Sequence, residues 1–192
     1  EGLSGTGPKA GGPKYLKRFF HSTPIAHPHI IGNVVTADVI NQAFDQLEAE
    51  MGFIKSAFDI TEQDLPGPTG ESNRYLTHPR RRVLCLGPDA KMADEQADRA
   101  EKLGCQALAL APDVEDGLDG VVSPETLTQL AELDTVVSWS EDIAAIRVAL
   151  AERPGPIIPL LTVEEFEQWL LAEQHICIDT TAAGGNAEIL GE

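Results

Sequence analysis

Arg82-Val-Leu-Cys-Leu-Gly-Pro-Asp-Ala-Lys-Met-Ala-Asp-Glu-Gln-Ala-Asp-Arg-Ala-Glu-Lys-Leu-Gly-Cys-Gln-Ala-Leu-Ala-Leu110 holds two short apolar runs around a segment of helix-forming residues. Arg82 to Leu86 and Gln106 to Leu110 are too short for buried helices and show no polar alternation, so they read as strands covered on both faces. Between them, Ala90 to Leu103 is built of good helix formers and stops before Gly104, a residue suited to the left-handed helix end. A strand, a helix and a strand with such short connections form a βαβ unit, whose strands are parallel because the helix carries the chain back.

The same alternation continues toward the C-terminus. Ser123-Pro124-Glu125 supplies a cap, a first-turn proline and an acid at the positive end of a helix carrying Leu127, Leu130 and Leu133. Thr135 to Trp139 reads as a strand, and Glu141 to Ala151 as a helix burying Ile143, Ile146, Val148 and Leu150. Ile157 to Leu161 reads as a further strand and Val163 to Ala172 as a helix. The predicted fold class is α/β, Rossmann-like, a mostly parallel sheet with helices on both faces.

Toward the N-terminus, Thr36 caps a helix whose stripe Ile40, Phe44, Leu47, Met51, Ile54 and Phe58 keeps helical spacing. A breaker, Leu65-Pro-Gly-Pro-Thr-Gly-Glu-Ser-Asn73, separates it from the βαβ block. His21 to Gly32, with Pro24 and Pro28, has no period and reads as a linker. Tyr15 to Phe20 reads as a short strand with a basic outer edge. At the other end His175-Ile-Cys-Ile-Asp179 alternates as a strand with one buried face. It runs into Thr180, Thr181, Ala182, Ala183, Gly184, Gly185 and Asn186, small residues that let backbone lie close on another surface.

Composition excludes several classes. A formal charge of -17 across 192 residues, from 31 acids and 14 Lys plus Arg, repels nucleic acid and anionic lipid. The three cysteines, Cys85, Cys105 and Cys177, are odd in number and far apart, which argues against a disulfide framework and for a reducing cytoplasm. No apolar run approaches the roughly 20 residues of a membrane span. The start at Glu1, inside a glycine-rich run, predicts a piece of a longer polypeptide.

Each candidate chemistry meets a counter-reading. The turn after Leu86 has Gly87 where a dinucleotide fingerprint needs three glycines, and Asp89, Asp94 and Glu95 crowd a helix start that a pyrophosphate needs free. No bound cofactor is expected in this chain. Ser4-Gly5-Thr6-Gly7 lacks the spacing of a phosphate loop. His21, His27 and His29 lack accompanying carboxylates or cysteines, and Asp113, Glu115, Asp116 and Asp119 lack the ligand order of a calcium loop, so no metal site is expected. Cys85 sits inside an apolar strand, where its thiolate is disfavoured.

Three stretches resemble a known family. Ser4-Gly-Thr-Gly-Pro-Lys-Ala-Gly-Gly-Pro-Lys-Tyr-Leu16 resembles the end of the L-glutamate gamma-semialdehyde dehydrogenase domain of proline utilisation A. Gly67-Pro-Thr-Gly-Glu-Ser-Asn73 and the tail Gln174 to Ala187 resemble other segments of that family, the tail departing at Asp179 and Glu188. The resemblance implies a bifunctional parent that oxidises proline with FAD, hydrolyses pyrroline-5-carboxylate and oxidises the semialdehyde with NAD, passing the intermediate through an internal tunnel. Its catalytic cysteine and glutamate would precede Glu1.

On that basis Ser4, Gly5, Thr6 and Lys9 are expected near the parent's aldehyde site, and Thr180 to Asn186 as a lid that closes the tunnel. The expected organisation is 1–20 as the end of the dehydrogenase domain and a flap strand, 21–35 as linker, and 36–73 as a helical segment with breaker loop. Residues 74–174 then form the Rossmann-like domain and 175–192 the second flap strand and lid. The two chain ends thus make a small β-flap. The implied partners are the dehydrogenase domain of the same polypeptide and other copies joined through flap strands.

Overall fold

The computed structural model describes residues 12–20, 23–28, 30–51 and 61–179. The βαβ unit is present as read: β3 (Arg82–Leu86), α2 (Ala90–Glu101) and β4 (Gln106–Ala111). Before it stand α1 (Ala37–Met51), β1 (Thr61–Leu65) and β2 (Glu71–Pro79). After it come β5 (Gly117–Asp119), α3 (Pro124–Gln129), β6 (Thr135–Ser138), α4 (Ile143–Ala151), β7 (Leu160–Leu161) and β8 (Leu171–Asp179).

Five strands form one parallel sheet in the order β5-β4-β3-β6-β7, so the chain winds outward from β3 in both directions. All five residues of β3 are buried. Val83 and Cys85 point into one core, with Ala93, Ala97 and Ala100 of α2 and with Phe166. Leu84 and Leu86 point into the other, with Ile40 and Phe44 of α1, Leu127 of α3, and Ile146 and Leu150 of α4. The continuous apolar run thus has helices on both faces, as parallel sheets require. The two cores differ in grain. Alanines on α2 let that helix lie close to the sheet, while leucines and Phe44 hold α1, α3 and α4 further off.

The helix signals act as read at α3, where the Ser123 hydroxyl accepts from the Thr126 amide at 3.1 Å and Pro124 opens the first turn. The stripe of α1 is core-facing at Ile40 and Phe44, while the side chain of Met51, with Ile54 and Phe58, lies outside the described residues.

A second sheet, antiparallel, takes the order β1-β2-β8. It corrects the expected flap. Tyr15–Phe19 is a 3-10 helix and not a strand: Lys17 N bonds Lys14 O at 3.0 Å and Phe20 N bonds Lys17 O at 3.2 Å. Gly12-Pro13 turns the chain into i-to-i+3 bonding, and Tyr15 meets the Phe19 ring edge-on at 5.7 Å, a pairing that an extended chain would pull apart. The strand that β8 pairs with is β2, and the supposed breaker is the hairpin loop between β1 and β2, entering β2 through Gly70 at φ 92°.

Two further expectations change. The helix predicted from Val163 to Ala172 shrinks to a 3-10 turn, Phe166–Trp169, because the nine-pair ladder of β2 and β8 takes Leu171 and Ala172 into the strand. The strand predicted from Ile157 is reduced to Leu160–Leu161, since Pro156 and Pro159 lack the amide a ladder needs.

Candidate functional site

The sequence-derived site residues Ser4, Gly5, Thr6 and Lys9, and Thr180, Thr181, Ala182, Ala183, Gly184, Gly185 and Asn186, lie outside the described residues. Two built features remain: a crevice at the carboxyl edge of the parallel sheet, and the arm that carries the chain toward residue 180.

In an open α/β sheet the strand order reverses at a switch point, and a crevice opens there beyond the carboxyl ends. Here the reversal lies between β3 and β6. A cleft of about 110 Å³ sits at that place. Leu86 ends β3 and Gly87 follows it, Leu110 and Ala111 end β4, and Ser138 ends β6. Val121, Val122 and Pro124 lead into α3, while Asp142, Ala145 and Ile146 open α4.

The linker, which the sequence left without a role, crosses this crevice as a strap. Ile25 N bonds Thr162 O at 2.8 Å, and His27 bonds Trp139 O and Glu141 N, which fixes one end beside β6 and β7. Asn33 O and Val35 N both bond Val121, which fixes the other end beyond β5. Ile30, between the anchors, lines the cleft. Glycines permit the contact: a Cβ on Gly120 would stand 2.4 Å from Asn33 O, and one on Gly32 would stand 3.1 Å from both Pro112 and Val121. A periodic pattern could not reveal the strap, because its bonds go to three strand ends far apart in sequence.

This geometry does not suit a dinucleotide. Asp89 caps α2, its carboxylate accepting from Met92 N at 2.8 Å and its carbonyl from Ala93 N at 3.0 Å. Those are the donors a pyrophosphate takes at the first strand-to-helix turn. A Cβ on Gly87 would stand 2.2 Å from Ala93 N, so the turn is already closed against the helix.

The other candidates resolve plainly. Cys85 and Cys105 are fully buried. Burial drives both thiols upward, Cys105 to about 12, so each stays protonated and packs as a small apolar group. Cys177 is exposed on β8. Asp119 accepts from the Asp113 amide at 2.8 Å, closing the acidic loop on itself. Among the described residues no three His, Cys, Asp or Glu gather as metal ligands. His27 takes part through its backbone, and His21 and His29 lie outside the described residues. No described helix is long and apolar enough to cross a membrane.

The arm is β8. Its first residues are buried, at Ala172 and Glu173, but from Gln174 onward every residue is exposed except the half-buried Ile176, and Ile178 is 45% exposed. The burial expected at Ile176 and Ile178 is therefore only partial, and full burial lies at the start of the strand, at Ala172 and Glu173. The ladder to β2 nevertheless continues to the Glu71 and Asp179 pair. At its root the Tyr75 hydroxyl donates to the buried Glu173 carboxylate. Beside them the buried Lys14 ammonium is held below its ordinary value, burial outweighing the attraction of Glu173.

The fold thus defines a three-layer α/β domain of Rossmann type with an antiparallel flap. No protein-family model matches the chain. It is 31% identical to the bifunctional protein PutA of Rhizobium meliloti over 226 aligned positions, which take in 98% of this chain and 18% of that protein. The PutA of Salmonella typhimurium is 30% identical over 99% of this chain and 17% of its own length. By sequence, then, the chain is similar to one segment of the PutA, or proline utilisation A, proteins, and spans less than a fifth of their length. Among solved structures, a Bradyrhizobium japonicum proline utilisation A variant covers 63% of this chain at 23% identity and a TM-score of 0.40. A Staphylococcus aureus betaine aldehyde dehydrogenase covers 66% at 12% identity and a TM-score of 0.41.

Proposed function

We propose that this chain is a non-catalytic domain and lid of a bifunctional proline-catabolic enzyme. In this reading a larger polypeptide converts proline to glutamate with FAD and NAD bound elsewhere, and this segment helps close the tunnel through which the intermediate passes. Its partner is the dehydrogenase domain of the same polypeptide, in the cytoplasm. The observation that carries the reading is the arm: a strand ladder is maintained out to Asp179, beyond the buried core, and the small-residue run 180–186 follows it directly in the sequence. Backbone bonding there holds position without needing burial. Residues 1–20, with Ser4, Gly5, Thr6 and Lys9 near the aldehyde site, are then the end of the dehydrogenase domain.

The test is the full-length parent with residues 180–192 deleted. Coupled turnover from proline should fall and trappable pyrroline-5-carboxylate should appear in solution, while oxidation of proline with an artificial electron acceptor stays unchanged. Coupled turnover equal to the intact enzyme, with no released intermediate, removes the lid role.

A second reading makes the flap an oligomerisation element. It is favoured by the sheet order β1-β2-β8, which leaves the outer edge of β8 without a ladder partner among the described residues, next to exposed Ile178. Light scattering on the chain and on an Ile178→Lys variant decides it: a strict monomer in both leaves the flap without that role.

A further inference from the structure

We propose that the crevice beneath the strap binds a small neutral molecule with a short branched aliphatic body and one head group that both donates and accepts a hydrogen bond, such as a hydroxyl. The inference concerns the α/β body and stands independently of the lid reading, which rests on residues 180–186.

The place comes first. Open α/β sheets take ligands at the switch point, and this cleft lies at the reversal between β3 and β6. The lining then sets the chemistry. Leu86, Leu110, Val121, Val122 and Ile146 make walls that a hydrated or charged body would have to desolvate against. Polar groups converge at one end only, where β6 meets α4. Ser140 Oγ accepts from the Asp142 amide at 3.2 Å, which leaves its O–H proton to donate. Asp142 also lines the cleft at the same end, and a carboxylate can accept more than one hydrogen bond. A head that gives and takes one hydrogen bond matches this pair.

Size and charge narrow the class. An apolar cavity of about 150 Å³ takes a benzene-sized guest, so about 110 Å³ here admits a molecule of roughly five non-hydrogen atoms. The described lining holds one carboxylate and no Lys or Arg, which disfavours anions. Phosphate-bearing ligands are further opposed by Asp89, which already caps α2. Ile30 from the strap forms part of the wall, so the site exists only with the strap in place.

The experiment uses the full chain with labelled Leu, Val and Ile methyl groups, titrated separately with isobutanol, isobutyrate and NAD. Isobutanol should move the methyl signals of Leu86, Val122 and Ile146 saturably in the millimolar range, with isobutyrate weaker by about tenfold or more. Ala145→Leu, which fills the mouth, should abolish the shifts, and Ser140→Ala should weaken them, each with the remaining spectrum intact. No saturable shift with isobutanol overturns the proposal, as does isobutyrate binding equally well. NAD moving the same methyl groups at lower concentration also overturns it and restores a cofactor crevice.

Discussion

Tyr75 and Glu173 lie diagonally across the β2 and β8 ladder, both almost wholly buried, and the Tyr75 hydroxyl donates to the carboxylate. Burial, then the hydrogen bond and charge of Glu173, hold the Tyr75 hydroxyl well above its ordinary value. A group raised on folding contributes stability that is present below its unfolded value, about 10, and lost as pH climbs through the folded one. Tyr75→Phe should therefore cost about 1 to 3 kcal/mol at neutral pH and should flatten the loss of stability above about pH 10. Denaturant titrations of both proteins across that range check it. Glu167 gives the opposite sign. Burial pushes its carboxyl up, but the Arg99 guanidinium at 2.5 Å and its own backbone outweigh that and hold it below the ordinary carboxylate value. Its contribution is present above the unfolded value, about 4.3, and lost as pH falls through the folded one. Arg99 also donates to Glu164 O and stacks 4.7 Å over Phe166. Arg99→Met should keep much of that packing and remove the acid-sensitive part, so the stability curves of the two proteins should converge below about pH 4.

The strap, among the elements, is the one that most depends on a single residue. Gly120 stands at φ 143°, and a Cβ there would meet Asn33 O and Val35 Cγ2. Gly120→Val should thus cost about 2 kcal/mol or more and release the strap, seen as faster hydrogen exchange at the Val35 and Val121 amides with β3 still protected. How far such elements were legible depends on where their partners lie. The βαβ unit was plain because β3 and β4 are continuous apolar runs whose burial is local to one sheet. The cap at Ser123 was plain because capping acts over three residues. The strap was not, since its bonds run from Ile25 to Thr162 and from Asn33 to Val121, separations that no period encodes. Tyr15–Phe19 reads as a short strand with a basic edge but has no neighbouring strand among the described residues, and local turn bonding prevailed. In the other direction, Leu171 and Ala172 look helical, yet β2 offered them a ladder. The crevice was legible only as a negative, through Asp89 and the lone Gly87; its apolar lining comes from four separate turns.

Over the whole molecule, charge and architecture act against each other. The two cores bury almost every large apolar side chain of the parallel sheet, while the surface carries a formal charge of -17. Like charges held in a folded volume repel more than in the expanded chain, so this excess lowers stability. Salt screens the repulsion, but it also screens favourable ion pairs, and which effect wins depends on where those pairs lie. Arg82 is only 6% exposed in its contacts with Asp45 and Glu48, and Arg99 is 22% exposed beside Glu167. Pairs so placed are screened far less than exposed charges. The exposed Arg74 and Glu62 pair contributes little in any medium. Raising NaCl from about 0.01 M to about 1 M, which shrinks the screening length from about 30 Å to about 3 Å, should therefore stabilise the chain. A gain of about 1 kcal/mol corresponds to roughly 3 °C in Tm for a domain of this size. Thermal unfolding across that salt series, with sodium chloride chosen over sulfate to avoid exclusion effects, measures it. A Tm that falls with salt would mean the ion pairs of Arg82 and Arg99 outweigh the repulsion of all the remaining acids.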